Sequence, residues 1–211
     1  IKSITSNTVF ELGDGDGNDV STTGGSLSGQ TLNFTNGITQ NTAIGYKSGA
    51  DITTGLKNTL LGYKSGTSLT TGTFNTIIGG LAGEALTSGV QNTIIGGLAG
   101  DALTTGSFNV AIGYSALSTE DNHGRNIAIG YRALASQNAG DEAYNVAIGH
   151  DSGKLITSGL YNTILGGEAL TSNAEGDNNT AIGYRALKSF NADADGHGNN
   201  TAVGSNALRD S

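Results

Sequence analysis

The sequence predicts an all-β protein: a parallel β-solenoid of ten coils, each about seventeen residues long. Three observations predict it. The motif Asn-x-x-(Ile/Leu/Val)-Gly recurs ten times, and seven of its nine spacings are 17 residues, the other two being 19 and 21. Glycine supplies 35 of 211 residues while proline, cysteine, methionine and tryptophan are absent, which excludes collagen, with its proline and three-residue period. Finally, Ile, Leu, Val and Ala return at fixed places in every unit, which a disordered chain poor in apolar residues does not do.

In chain order, residues 1–40 lie outside the repeat and are expected to cap the solenoid or link it to an upstream shaft, because a terminal unit needs a different face. Within them, Ile4 to Leu12 and Leu32 to Ile38 are candidate strands. Residues 41–211 form the repeat domain. Its motif asparagines are Asn41, Asn58, Asn75, Asn92, Asn109, Asn126, Asn145, Asn162, Asn179 and Asn200. The matching glycines are Gly45, Gly62, Gly79, Gly96, Gly113, Gly130, Gly149, Gly166, Gly183 and Gly204. Numbering the asparagine as position one, position four is always a branched aliphatic residue.

Helix is a poor assignment for such units, because each glycine costs about 1 kcal/mol relative to alanine in a helix. The segment Asn-Thr-Ala-Ile, closed by glycine, reads as a short strand and a turn. A second strand is expected at Tyr131–Ala135 and its equivalents, and a polar turn such as Thr53-Thr54-Gly55 leads to the next coil. Neighbouring coils then pair in parallel about 4.8 Å apart. The asparagines form a hydrogen-bonded ladder, and the glycines allow positive φ or a close backbone approach.

The interior is legible by compensation. Gly49, Gly66, Gly83, Gly100 and Gly153 at position nine accompany Ile52, Leu69, Leu86, Leu103 and Ile156 at position twelve. Coils with Leu117, Leu134, Leu170, Leu187 or Leu208 at position nine have a polar position twelve, except for Phe190. One aliphatic side chain per coil is therefore expected in the lumen, supplied from either place. Positions three and four face opposite sides of a strand. Position three (Ala43, Leu60, Ile77 and their equivalents) is expected to form an outward apolar column, and such a column calls for partner chains.

Charge and composition exclude several classes. A net charge of −8 disfavours nucleic acid, which is held by Lys and Arg on phosphates. No apolar run approaches the length of a membrane span, so membrane insertion is not expected. No cysteine is present for disulfides or thiolate chemistry. The start at Ile1 and the stop inside the tenth unit, at Ser211, lead to the expectation of a processed product or a fragment.

Few residues suggest chemistry. His123 and His197 fall in polar turns, and His150 takes a place usually held by Tyr or Gly. No arrangement of nucleophile, base and acid stands out, so an enzyme is not expected. Asp14, Asp16, Asn18 and Asp19 form the candidate metal site: Asp-x-Asp-x-Asn resembles the opening of a calcium loop but lacks the later glutamate. Calcium is thus the one candidate cofactor, and an acidic turn is the competing account. Tyr46, Tyr63, Tyr114, Tyr131 and Tyr184 share position six and are candidates for a glycan-binding platform, a covering ladder being the alternative. The expanded turns Glu120–Arg125, Gln137–Tyr144, Asn173–Asn178 and Asn191–Asn199 vary most between units, as binding loops on rigid scaffolds do.

The stretches Asn41-Thr-Ala-Ile-Gly-Tyr46, Asn179-Thr-Ala-Ile-Gly-Tyr-Arg-Ala-Leu187 and Asn200-Thr-Ala-Val-Gly-Ser-Asn-Ala-Leu208 resemble repeats of phage tail fibres and of the heads of trimeric autotransporter adhesins. The resemblance covers residues 41–211. It implies a left-handed β-roll with three chains around an axis, a homotrimeric rod. The period of 17 is longer than the usual adhesin head unit, and the Tyr-x-Ala-Leu continuation looks closer to fibre repeats. The function implied is a structural fibre of a phage tail or similar virion appendage. Such a fibre acts as a rigid spacer and host-attachment element, with a host polysaccharide or protein receptor as partner. The alternative is a bacterial extracellular adhesin or surface filament subunit. The location expected is accordingly the virion or the cell exterior. An enzymatic tailspike and an ice-binding face along Thr42, Thr59, Thr76 and Thr93, broken at Val110 and Ile127, are weaker alternatives.

Overall fold

A computed structural model describes residues 21–22, 25–26, 40–191 and 198–210. Most of the expected N-terminal cap, including its candidate strands and the Asp14, Asp16, Asn18 and Asp19 cluster, lies outside the described residues, as does His197. Strands β1 (Ser21–Thr22) and β2 (Gly25–Ser26) form a small antiparallel pair. The rest is one parallel sheet of ten three-residue strands, β3 (Thr42–Ile44) to β12 (Thr201–Val203), stacked in chain order. The fold is thus a β-solenoid. Among the described residues, no helix is long and apolar enough to cross a membrane.

The strands stay in register even across the longer units: Ile127 pairs with Val146 and Thr180 with Thr201. The extra residues of those units are therefore accommodated in the turns rather than in the sheet. Each strand is short because position five closes it. There φ lies at 130° in Gly45 and 143° in Gly166, and a β-carbon on Gly96 would sit 2.5 Å from the carbonyl oxygen of Gly113 in the next coil. The position-five glycines stack backbone on backbone, with no room for a side chain.

The second strand expected at Tyr131–Ala135 does not form; that segment is a turn. The reason is an alternation of backbone sign. Position seven has positive φ in every coil, as at Lys47 (52°) and Arg132 (52°), and so does position nine, as at Gly49 (58°) and Leu134 (50°). Two tight turns follow in succession, with Ser48 N–H donating to Gly45 O at 3.2 Å and Ile52 N–H to Gly49 O at 3.3 Å. The remaining backbone groups still pair from coil to coil, as in Lys64 N–H to Tyr46 O at 2.7 Å.

The asparagine ladder runs the full length of the sheet. Each Asn Oδ1 accepts the backbone N–H of the next asparagine, from Asn58 on Asn41 at 2.8 Å to Asn200 on Asn179 at 3.2 Å. At Asn58, Asn75 and Asn162 the amide is saturated. Asn75 Nδ2 donates to Asn58 Oδ1 at 3.1 Å and to Gly89 O at 2.8 Å, while its Oδ1 accepts both Asn92 N–H and Asn92 Nδ2. All four hydrogen-bonding sites of a primary amide are used, which is what a fully buried polar side chain requires.

The lumen shows the predicted exchange. Leu69, Leu86, Leu103 and Ile156 at position twelve are fully buried, and so are Leu117, Leu134 and Leu170 at position nine. A β-carbon on Gly100 would sit 2.8 Å from Leu103 Cδ1, so the two positions compete for one space. Two expectations need correction. Position three faces inward: Leu60, Ile77, Ile94 and Ile164 are fully buried, and Ala43 is nearly so. The lumen therefore holds more than one side chain per coil: position three, a small residue at position eight such as Ala82, Ala99 or Ala116, and one aliphatic residue from position nine or twelve, with Glu120, Gln137 and Asn173 also buried at position twelve beside Leu117, Leu134 and Leu170. Position four is the outward residue, half-exposed at Ile44, Leu61 and Leu165.

Candidate interaction surface

Alternation extends beyond the strand on both sides. The residue before the asparagine and positions two, four and six point outward, while positions one and three point in. Together they make a flat strip four columns wide and ten coils long. Nine steps of about 4.8 Å give it a length of about 43 Å.

Position four fills one column with Ile44, Leu61, Ile78, Ile95, Ile112, Ile129, Ile148, Leu165, Ile182 and Val203. Position two fills the next with threonine in seven coils and with Val110, Ile127 and Val146 in the middle. The centre of the strip is therefore entirely aliphatic across three successive coils.

Aromatic ladders flank these columns. In the position-six column Tyr46 stacks on Tyr63 at 5.5 Å between centroids, Tyr114 on Tyr131 at 5.8 Å, and Tyr131 on His150 at 5.0 Å. Position seven places cations over these rings, with Arg132 at 4.7 Å from Tyr131 and Arg185 at 4.7 Å from Tyr184. The ring faces are thus largely spent on one another and on cations. A sugar would meet short runs of ring edges, interrupted at Gly80, Gly97 and Gly167, rather than open faces. Tyr114 and Tyr184 lie over Gly97 and Gly167 of the preceding coils, where a β-carbon would meet them in ordinary contact at 3.4 Å and 3.6 Å.

The second aromatic column is absent from the sequence reading. It lies at the residue preceding each asparagine, which has positive φ in all ten coils, from Gln40 (51°) to Asn199 (63°). Arg125 sits over Phe108 at 4.8 Å and over Tyr144 at 5.6 Å, and Tyr144 stacks on Tyr161 at 5.7 Å. Four consecutive coils thereby share one cation–aromatic stack. Aligning the units on the asparagine shows that this place carries no small residue (Gln, Lys, Phe, Gln, Phe, Arg, Tyr, Tyr, Asn, Asn), and that signal was available from sequence.

Ion pairs decorate the edge next to the tyrosines. Arg132 grips Asp151 with two hydrogen bonds of 2.9 Å. Glu168 accepts from Arg185 at 3.1 Å and also from Lys188. The Arg185 and Lys188 hydrogen bonds hold its carboxyl down at about 2.

The turn after Leu117 differs from its neighbours. Glu120 occupies the inward position twelve and is fully buried. Its Oε1 accepts His123 N–H at 3.2 Å and lies 3.7 Å from His123 Nδ1. Glu120 Oε2 and His123 Nδ1 have no hydrogen-bond partner among the described residues. Burial pushes the Glu120 carboxyl above the usual carboxylate range. The counterpart residues in other coils are neutral amides: Gln137 Oε1 accepts Asn145 Nδ2 at 2.8 Å, although its Nε2 has no partner among the described residues, and Asn173 closes its turn on Gly176 in both directions. Asp121 joins Glu120 and His123 in a group whose ligand atoms lie within 4.8 Å of one another.

Comparison with protein-family models, with curated proteins and with solved structures finds no match.

Proposed function

We propose that this chain is a structural fibre segment of a phage tail or similar virion appendage, a rigid spacer that carries host-attachment surfaces. In this reading three parallel copies of a left-handed roll pack around a common axis through their outward strips. The observation that carries it is the unbroken aliphatic column at position four, partly exposed along the whole sheet and reaching 66% exposure at Val203. Contiguous apolar faces of this extent mark interaction sites on soluble proteins. The aliphatic centre formed with Val110, Ile127 and Val146 suits a protein partner better than ice. The asparagine and glycine ladders supply the stiffness that a spacer needs. Host polysaccharide or a protein receptor would meet the expanded turns and the ladder edges.

The test is the mass of the full chain in solution by light scattering, alongside Ile95→Glu and Ile129→Glu. A three-chain particle that dissociates in the variants is the expected result. A monomer with the native sequence removes the fibre reading. A bacterial surface adhesin would share the same assembly, and genes for tail proteins next to this one would favour the fibre.

A further inference from the structure

We propose that Glu120, Asp121 and His123 form a binding site for a divalent first-row transition ion of the zinc type, set into the turn of the fifth coil. Glu120 points from position twelve into the interior, where other coils place an aliphatic side chain or a neutral amide. An ionised carboxylate buried without a counter-charge is strongly unfavourable. Its Oε2 nevertheless has no hydrogen-bond partner, and the imidazole Nδ1, 3.7 Å from the other carboxylate oxygen, has none either. A cation held by the imidazole and the carboxylate gives both groups a partner at once.

The geometry is close to what such an ion needs. Ligands about 2.0–2.2 Å from one ion lie about 3.3–4.4 Å apart. Glu120 Oε1 and His123 Nδ1 are 3.7 Å apart, and the whole group lies within 4.8 Å, so a shift of a fraction of an ångström at Asp121 closes the set. One imidazole nitrogen and two carboxylates favour zinc, cobalt or nickel over calcium, which takes six to eight oxygens. The competing account is a water that joins Glu120 Oε2 to the amides of the next coil, where Asn126 Nδ2 and Gln137 Nε2 also lack partners.

Two substitutions test the site with little risk to the fold, because each copies a residue found at the same place in other coils. Glu120→Gln copies Gln137, and His123→Gly copies Gly106, Gly159 and Gly176. The full chain, stripped with EDTA, is titrated calorimetrically with Zn2+, and Co2+ is added separately to read its visible ligand-field spectrum. One saturable site per chain is expected. Loss of an outer-shell partner alone weakens metal binding 10–100-fold, so loss of either direct ligand is expected to weaken it by more than about 100-fold. The cobalt spectrum should lose its nitrogen-ligand signature in His123→Gly. Asp14→Asn/Asp16→Asn/Asp19→Asn should leave the site intact. No saturable binding, as the water account requires, overturns the proposal, as does binding unchanged in both variants. Should either variant unfold, Asp121→Asn decides in its place: unchanged zinc affinity there refutes the three-residue site.

Discussion

If positions nine and twelve share one lumen space, moving the aliphatic residue from one to the other should be nearly neutral, while either half of the exchange alone should not. Coil six is suited to this test. Leu134 is fully buried with φ of 50°. Deleting such a side chain costs about 2–5 kcal/mol, and glycine at a left-handed backbone recovers about 1–2 kcal/mol. Leu134→Gly should therefore lose about 0–4 kcal/mol. Gln137→Leu alone places a second aliphatic group against Leu134, an overpacking of about 1–3 kcal/mol. It also removes the acceptor of Asn145 Nδ2, a bond of 2.8 Å. That amide still donates to Gly159 O at 2.7 Å, so the loss is one hydrogen bond, about 1 kcal/mol. The double variant fills the lumen once, as Leu69 and Leu86 do beside their glycines, and should lie within about 1 kcal/mol of the native chain. Urea denaturation followed by circular dichroism, at one fixed protein concentration, gives the four stabilities. The expected coupling is at least about 1 kcal/mol, whereas independent sites add within about 0.5 kcal/mol. Additivity would refute the shared-space argument.

Two further outcomes follow from the backbone stack and the ion pairs. Gly96→Ala should lose about 2–6 kcal/mol, since it combines strained φ with overpacking against Gly113 O; Gly204→Ala, with no neighbour within 4 Å, should lose only the conformational part. Gly80→Ala, with neither feature, should be neutral, and melting temperatures ranking the three otherwise would contradict the stack. Glu168 is held at about 2 in the fold, below the ordinary 4.5. Its contribution is fully present above 4.5 and is lost as pH falls through the folded value, so Glu168→Gln should flatten the melting temperature against pH across that window. Parallel native and variant profiles would show that the Arg185 and Lys188 contacts contribute nothing measurable.

The period, the strand placement and the nine-or-twelve exchange were legible because they rest on residue type at fixed spacing. The second strand was misread because its turns carry glycine at position nine in only five coils and none in the Tyr131–Ala135 segment. Lys47, Arg132 and Leu134 adopt positive φ without glycine or asparagine to announce it. The strain is outweighed by coil-to-coil pairing, which local sequence does not display. The inward face was misassigned because alternation says that positions three and four are opposite, not which is inside. Side-chain volume points only partway to the answer. Ala111, Ala128 and Ala181 accompany Leu at position nine, while Leu60, Ile77 and Ile94 accompany Gly, but Ala43 with Gly49, Ala147 with Gly153 and Ile164 with Leu170 break the trade. The aromatic column before the asparagine stayed hidden because its chemistry varies along the chain even though its bulk does not. The orphaned atoms around Glu120 depend on three-dimensional packing and leave no trace in the motif.

The asparagine ladder also gives the rod a direction. Each Oδ1 accepts only from the following coil, never from the preceding one, so the amide dipoles line up along the axis as peptide dipoles do in a helix. The backbone bonds carry no such sense, since they run both ways, as in Thr42 N–H to Asn58 O and Lys64 N–H to Tyr46 O. A new coil is met in this one column by a prepared acceptor, so the column behaves as a template that is copied forward, each turn setting the register of the one after it.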